Sequence, residues 1–174
     1  MSFIKTDNTA RVFAPGYFLA ADAENCTRET REMKQTDATT LSDGTKIIKM
    51  GTAYPANDGT AEGIVYEDID VTSGNMPGSV VTKGIVYEDR LAVTSIDYQA
   101  VTPETGDNPK EKGWYERSGS AGSYVYTLTD DTTVQDGTTY YKAVDVRMSA
   151  AAKTALEGKG FKFIATAPTV TRPY

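Results

Sequence analysis

The hexapeptide Gly63-Ile64-Val65-Tyr66-Glu67-Asp68 recurs unchanged as Gly84-Ile85-Val86-Tyr87-Glu88-Asp89. No other feature narrows the choice of fold as much. Ile, Val and Tyr favour extended backbone, and the acidic pair ends each copy in solvent. Between the copies stand Thr72-Ser73-Gly74-Asn75 and Met76-Pro77-Gly78, both turn chemistry. Two strands with matching ends therefore predict a β-rich centre, with the two copies side by side as the simplest arrangement.

Around that centre the chain divides into parts. Residues 1–44 are polar, rich in Thr, Asp and Glu, and read as an N-terminal arm with little core of its own. The segment from Glu24 to Lys34 is charged on every face and is at best a weak helix. One apolar patch, Val12 to Leu19, interrupts the arm, with Pro15-Gly16 as a turn signal inside it. The patch either packs onto the chain's own sheet or docks on a partner, and Phe13, Tyr17 and Phe18 are the residues that would dock. Residues 45–101 hold the repeat, a strand near Thr45 to Met50 and a further strand from Ala92 to Val101. Residues 102–146 read as an inserted module of three short strands, Gly113 to Arg117, Ser123 to Thr129 and Thr138 to Val144. Its aromatic set includes Trp114, Tyr115, Tyr140 and Tyr141. These are either the core of a module too small to bury much else, or a ligand-facing platform for carbohydrate or peptide.

Residues 147–174 rejoin the β-rich core. Ser149 is a good N-cap, and Met148, Ala152 and Leu156 lie four apart on one helical stripe. Gly158 is placed to stop the helix. Phe161 to Ala165 then alternates as a strand. Leu156 and Phe163 are the expected buried anchors. The expected fold class is mainly β: a small β-rich core with one short C-terminal helix and an inserted three-stranded β-module.

Composition bears on function. The chain has 174 residues and no histidine, so Ser-His-Asp, Cys-His and His-based metal sites are excluded. Its net charge is −6 and no stretch is basic enough to follow a phosphate backbone, so nucleic acid is not an expected partner. Cys26 is the only cysteine and cannot form an intramolecular disulfide. No segment approaches the roughly 20 apolar residues that span a bilayer, and a soluble protein made in a cytoplasm is expected. The repeated pairs Glu67-Asp68 and Glu88-Asp89, with Asp70 nearby, invite a carboxylate acid-base or calcium reading. Neighbours on a strand face opposite ways, so neither pair converges on one atom. Gly158-Lys159-Gly160 follows a helix instead of preceding one, which argues against a phosphate cradle. No enzyme activity, cofactor or metal is expected.

The stretch from Gly51 to Asp68, with Val80 to Leu91, resembles the lambda-type head decoration proteins of tailed phages. In that family a Gly-rich turn leads into a strand ending in an acidic pair, and a second matching strand follows. The Ala-rich helix before Phe161-Lys162-Phe163-Ile164 also fits the family's ending. Gly113-Trp114-Tyr115-Glu116 and Thr138-Thr139-Tyr140-Tyr141 are similar to a small β-module of Gram-positive phages. The resemblance implies a homotrimeric structural protein on the outer surface of the virion, cementing subunits of the major capsid protein, with its N-terminal arm pairing to a capsid strand. The competing expectation is a virion-displayed adhesin or carbohydrate-binding module that uses the aromatic insertion.

Overall fold

The computed structural model describes residues 15–20 and 26–168. Among the described residues the fold is mainly β with one α-helix, as the sequence predicts. In chain order the strands are β1 (Thr27–Met33), β2 (Thr39–Thr40), β3 (Lys46–Ile48), β4 (Ala53–Tyr54), β5 (Gly63–Val65), β6 (Ile69–Asp70), β7 (Met76–Lys83) and β8 (Ile85–Tyr87). There follow β9 (Ser95–Ala100), β10 (Tyr115–Ser118), β11 (Val125–Leu128) and β12 (Tyr140–Val146), then helix α1 (Ala150–Gly158) and β13 (Lys162–Ile164). The described residues form two compact units. The first runs to Ala92 and resumes at Arg147, and the second is Val93–Val146. Among the described residues no helix is long and apolar enough to cross a membrane.

The first unit is built on the antiparallel sheet β1-β7-β5-β4. Its central strands carry adjacent apolar residues because both faces are covered. Ile64 pairs with Val81 and both enter one cluster, with Phe18, Val86, Leu91, Ala152, Leu156 and Phe161. Val65 pairs with Val80 and both enter a second cluster on the other face, with Met33, Ile48, Ile69 and Val71. A strand buried on both sides reads as a continuous apolar run instead of an alternating one. The second cluster is closed by the small sheet β2-β3-β6. Gly63 opens β5 where the backbone approach is closest: a Cβ there would lie 2.3 Å from the Val81 carbonyl oxygen.

Helix α1 starts where Ser149 predicts, while Gly158, the expected stop, is its last helical residue and the left-handed glycine is Gly160. The Ser149 hydroxyl accepts from the Ala152 amide at 3.0 Å. The helix ends with Phe161 N–H donating to the Leu156 carbonyl at 3.1 Å, a reversal that Gly160 permits at φ +94°. Leu156 is fully buried, as expected. The second anchor is Phe161 and not Phe163, which is only half-buried, because β13 begins one residue after Phe161 and pairs parallel with β8.

Four expectations are corrected. The Glu24–Lys34 segment is not a weak helix over its described part: residues 27–33 form β1, recruited by backbone pairing with β7 along its whole length. The first 44 residues are also not merely an arm, since Phe18 and Met33 are fully buried in the two clusters. The two repeat copies do not lie side by side, because β5 sits between β7 and β4 whereas β8 pairs with β13. Finally, the insertion begins at Val93 instead of 102 and is four-stranded. Its order is β11-β10-β12-β9, because β9 pairs with β12 from Ser95↔Val146 to Ala100↔Tyr141.

Candidate functional site

Three groups of residues are candidates, and the acidic pairs come first. In the structure their carboxylates are used singly. Asp68 accepts the Met50 amide at 2.7 Å and Asp89 accepts the Ala167 amide at 2.9 Å. Glu88 pairs with the Lys153 ammonium at 2.7 Å. Each aspartate thus pins a neighbouring segment of backbone, and nothing brings the pairs together for acid-base work. The tyrosine of each copy lies under an arginine: Arg28 stands 4.3 Å from the Tyr66 ring centroid and Arg90 stands 4.9 Å from that of Tyr87. Among the described residues no group of three or more His, Cys, Asp or Glu could hold a metal ion.

The second candidate is the docking patch expected from the sequence. Phe13 lies outside the described residues. Phe18 is 0% exposed and belongs to the core, so it cannot dock on a partner while the unit is folded. Tyr17 is 38% exposed. The Arg90 guanidinium lies 4.4 Å from the Tyr17 ring centroid and donates to the Tyr17 carbonyl at 3.1 Å, which fixes the ring at the surface.

The third candidate is the aromatic set of the second unit. Strand alternation separates it into two groups. Trp114 and Tyr140 are buried, with ring centroids 5.7 Å apart. The Tyr140 hydroxyl donates to Asp131 at 2.5 Å and accepts from the Gln135 amide at 3.1 Å. Burial, then the Asp131 hydrogen bond, pushes the Tyr140 hydroxyl up from its ordinary pKa. Thr129, also buried, donates to Glu116. This group is a core with polar ties and not a binding platform, so Trp114 and Tyr140 do not face a ligand.

Tyr115 and Tyr141 lie on the opposite face, joined by Tyr124 and Tyr126 of the same aromatic set and by Tyr98, which lies before the expected insertion. Tyr98 and Tyr126 come from the two outer strands of the sheet, yet their rings stack with centroids 3.9 Å apart. The sheet must curl until these edge side chains meet. Tyr98 also contacts Tyr115 edge-on at 5.1 Å, and Tyr126 contacts Tyr141 at 5.2 Å. Arg117 lies over Tyr124 and Tyr141, at 4.2 and 5.0 Å from their centroids. Tyr124 is 42% exposed and Leu128, directly opposite Tyr115, is 58% exposed. The available signal is the period of two: Trp114-Tyr115 and Tyr140-Tyr141 are chain neighbours and cannot share a face, whereas Tyr115 and Arg117, or Tyr124 and Tyr126, can. Tyr141 is 7% exposed, buried like Tyr140, and does not face a ligand either; the exposed part of this face is Tyr124 under Arg117, with Leu128 beside it.

Comparison of the chain with protein-family models, with curated proteins and with solved structures finds no match.

Proposed function

We propose that the chain is a structural virion protein that binds the outside of a phage capsid and cements subunits of the major capsid protein, as a homotrimer. It acts by binding and not by chemistry. The observation that carries the reading is the repeated strand with its acidic pair, which resembles the lambda-type decoration proteins. Both copies serve structural roles in one unit together with the late helix and β13. Docking falls to Tyr17 and to the apolar residues that precede it, with Phe18 withdrawn from that role. The test adds purified chain to expanded capsids assembled without it. Saturable co-sedimentation and a higher melting temperature of the shell are expected, and removal of residues 2–14, which leaves Phe18 in place, should abolish both while sparing the fold. Capsids that neither retain the chain nor gain stability would end this reading.

A second reading is favoured by one observation, the curled tyrosine face with Arg117, Tyr124 and exposed Leu128 at its rim. Under it the second unit is a displayed adhesin for a host-surface polysaccharide. Binding of purified cell-wall glycans, weakened by Tyr124→Ala, would support it.

A further inference from the structure

We propose that β1 is a self-pairing edge: a second copy of this chain adds its own β1, antiparallel and centred on Thr30. Strand β1 ends the first unit's main sheet, and among the described residues only β7 pairs with it. Six of its seven residues, Thr27 to Glu32, are exposed. An edge of this length is a template for another strand, and charges on such an edge ordinarily prevent pairing because a chance partner does not match them. The charges here match in one way.

The strand reads Thr27-Arg28-Glu29-Thr30-Arg31-Glu32-Met33. In an antiparallel pair centred on Thr30, Arg28 stands opposite Glu32 of the second copy and Glu29 opposite Arg31 of the second copy. The twofold axis repeats both, so every charge on the edge meets its opposite. Moving the axis half a step toward Arg28 sets Arg28 against Arg31. Moving it half a step the other way sets Glu29 against Glu32. A parallel pair in register sets each charge against itself. Residues directly opposed in an antiparallel pair share a face at about 4.5–5.5 Å between Cα atoms, where unlike charges attract and like charges repel.

Glu29 and Arg31 already stand together on one face of the strand, whereas Arg28 leans inward across β7 and has to turn outward to meet Glu32 of a second copy. Arg28 is held over the Tyr66 ring on one face of the strand. Arg31 donates to Glu29 at 2.6 Å on the other, so a second copy would extend that pair into an alternating row of four charges. A foreign strand lacks this twofold symmetry. A second copy of the chain satisfies it by definition, since a twofold contact presents one surface to itself. The edge is short, so the contact is a weak one, and since it needs a twofold axis it would join copies of neighbouring trimers and not copies within one trimer.

The test uses the free, full-length chain and is therefore independent of capsid binding. Cys26→Ser removes the native thiol, and Thr30→Cys places two thiols across the proposed axis, within the Cα spacing a disulfide accepts. Mild oxidation should couple two copies about tenfold or more faster than for Ser120→Cys, an exposed loop control, because pairing raises the effective concentration of the two thiols. Salt at about 1 M, where the screening length is roughly 3 Å, should slow the coupling. Adding Arg31→Glu should bring the rate to that of the control, and the double exchange Glu29→Arg with Arg31→Glu should restore it, since complementarity returns. Circular dichroism confirms that each variant is folded. A Thr30→Cys rate no faster than the control overturns the proposal and leaves the edge to a foreign strand or to residues 1–14. Failure of the double exchange to restore the rate overturns it too.

Discussion

The two copies of Gly-Ile-Val-Tyr-Glu-Asp have one sequence and two surroundings. In the first, β5 is an inner strand of the main sheet, with Ile64 and Val65 both buried, one in each cluster. In the second, β8 pairs in parallel with β13 and bridges to Leu19, and Ile85 is only half-buried. What the copies keep in common is local: a strand, a tyrosine under an arginine, and an aspartate that accepts a neighbouring backbone amide. What they do not share is depth. A repeated segment can therefore specify its own conformation and its polar tie, while the sheet around it decides how much each apolar side chain contributes.

That contrast can be broken by substitution. The largest difference is expected at the isoleucines. Ile64→Ala should cost about 2–5 kcal/mol, as for a fully buried aliphatic residue, and Ile85→Ala about 1 kcal/mol because part of its area is already in water. Denaturant unfolding of the two variants measures this, and equal losses would mean that the copies are equivalent after all. The glycines should differ next. At position 63 an added methyl meets the Val81 carbonyl, whereas at position 84 its nearest neighbour is Leu19 at 3.5 Å, an ordinary contact. Gly63→Ala should therefore cost about 1–3 kcal/mol as an overpacked site, and Gly84→Ala should stay within about 0.5 kcal/mol of the parent.

The aspartates should behave alike. Asp68→Ala and Asp89→Ala each remove one hydrogen bond to a backbone amide, and each should cost about 0.5–1.5 kcal/mol. Hydrogen exchange sharpens the result, since the Met50 amide should lose protection in the first variant and the Ala167 amide in the second. The smallest effect belongs to the glutamates. Glu88 has Lys153, while Glu67 makes no ion pair among the described residues. Lys153→Ala should cost no more than about 1 kcal/mol and lose its effect at high salt, as partly exposed pairs do.

Much of the first unit can be read from sequence where the signal is local. Ser149 and the four-residue spacing of Met148, Ala152 and Leu156 define a helix without help from the rest of the chain, although the reversal falls at Gly160 and not at Gly158. The repeat announces its strands for the same reason. Strand β1 has no such signal: Thr27 to Glu32 is polar on both faces, and only pairing with β7 makes it a strand. The place of β9 is equally hidden. Ser95-Ile96-Asp97-Tyr98 alternates as any surface strand would, and its membership of the second unit depends on the distant β12 and on Tyr98 reaching Tyr126. At the candidate sites, the apolar patch shows that something must be covered but not by what, so Phe18 and Tyr17 look alike until one is found in the core. The separation of Trp114 from Tyr115 was within reach of simple alternation.

The parallel neighbours β8 and β13 flank, in chain order, the whole of the second unit and the helix. During synthesis β5, β7 and β8 leave the ribosome early, with Phe18 and Leu91 of their cluster, but Ala152, Leu156 and Phe161 come only after Val146 has been made. At roughly 5–20 residues per second that wait lasts several seconds. Over this interval the second unit, whose strands pair antiparallel within one short stretch of chain, can reach its own fold. The nascent first unit meanwhile keeps part of its aliphatic surface uncovered, and that exposure ends only when Ala152, Leu156 and Phe161 arrive to close over it.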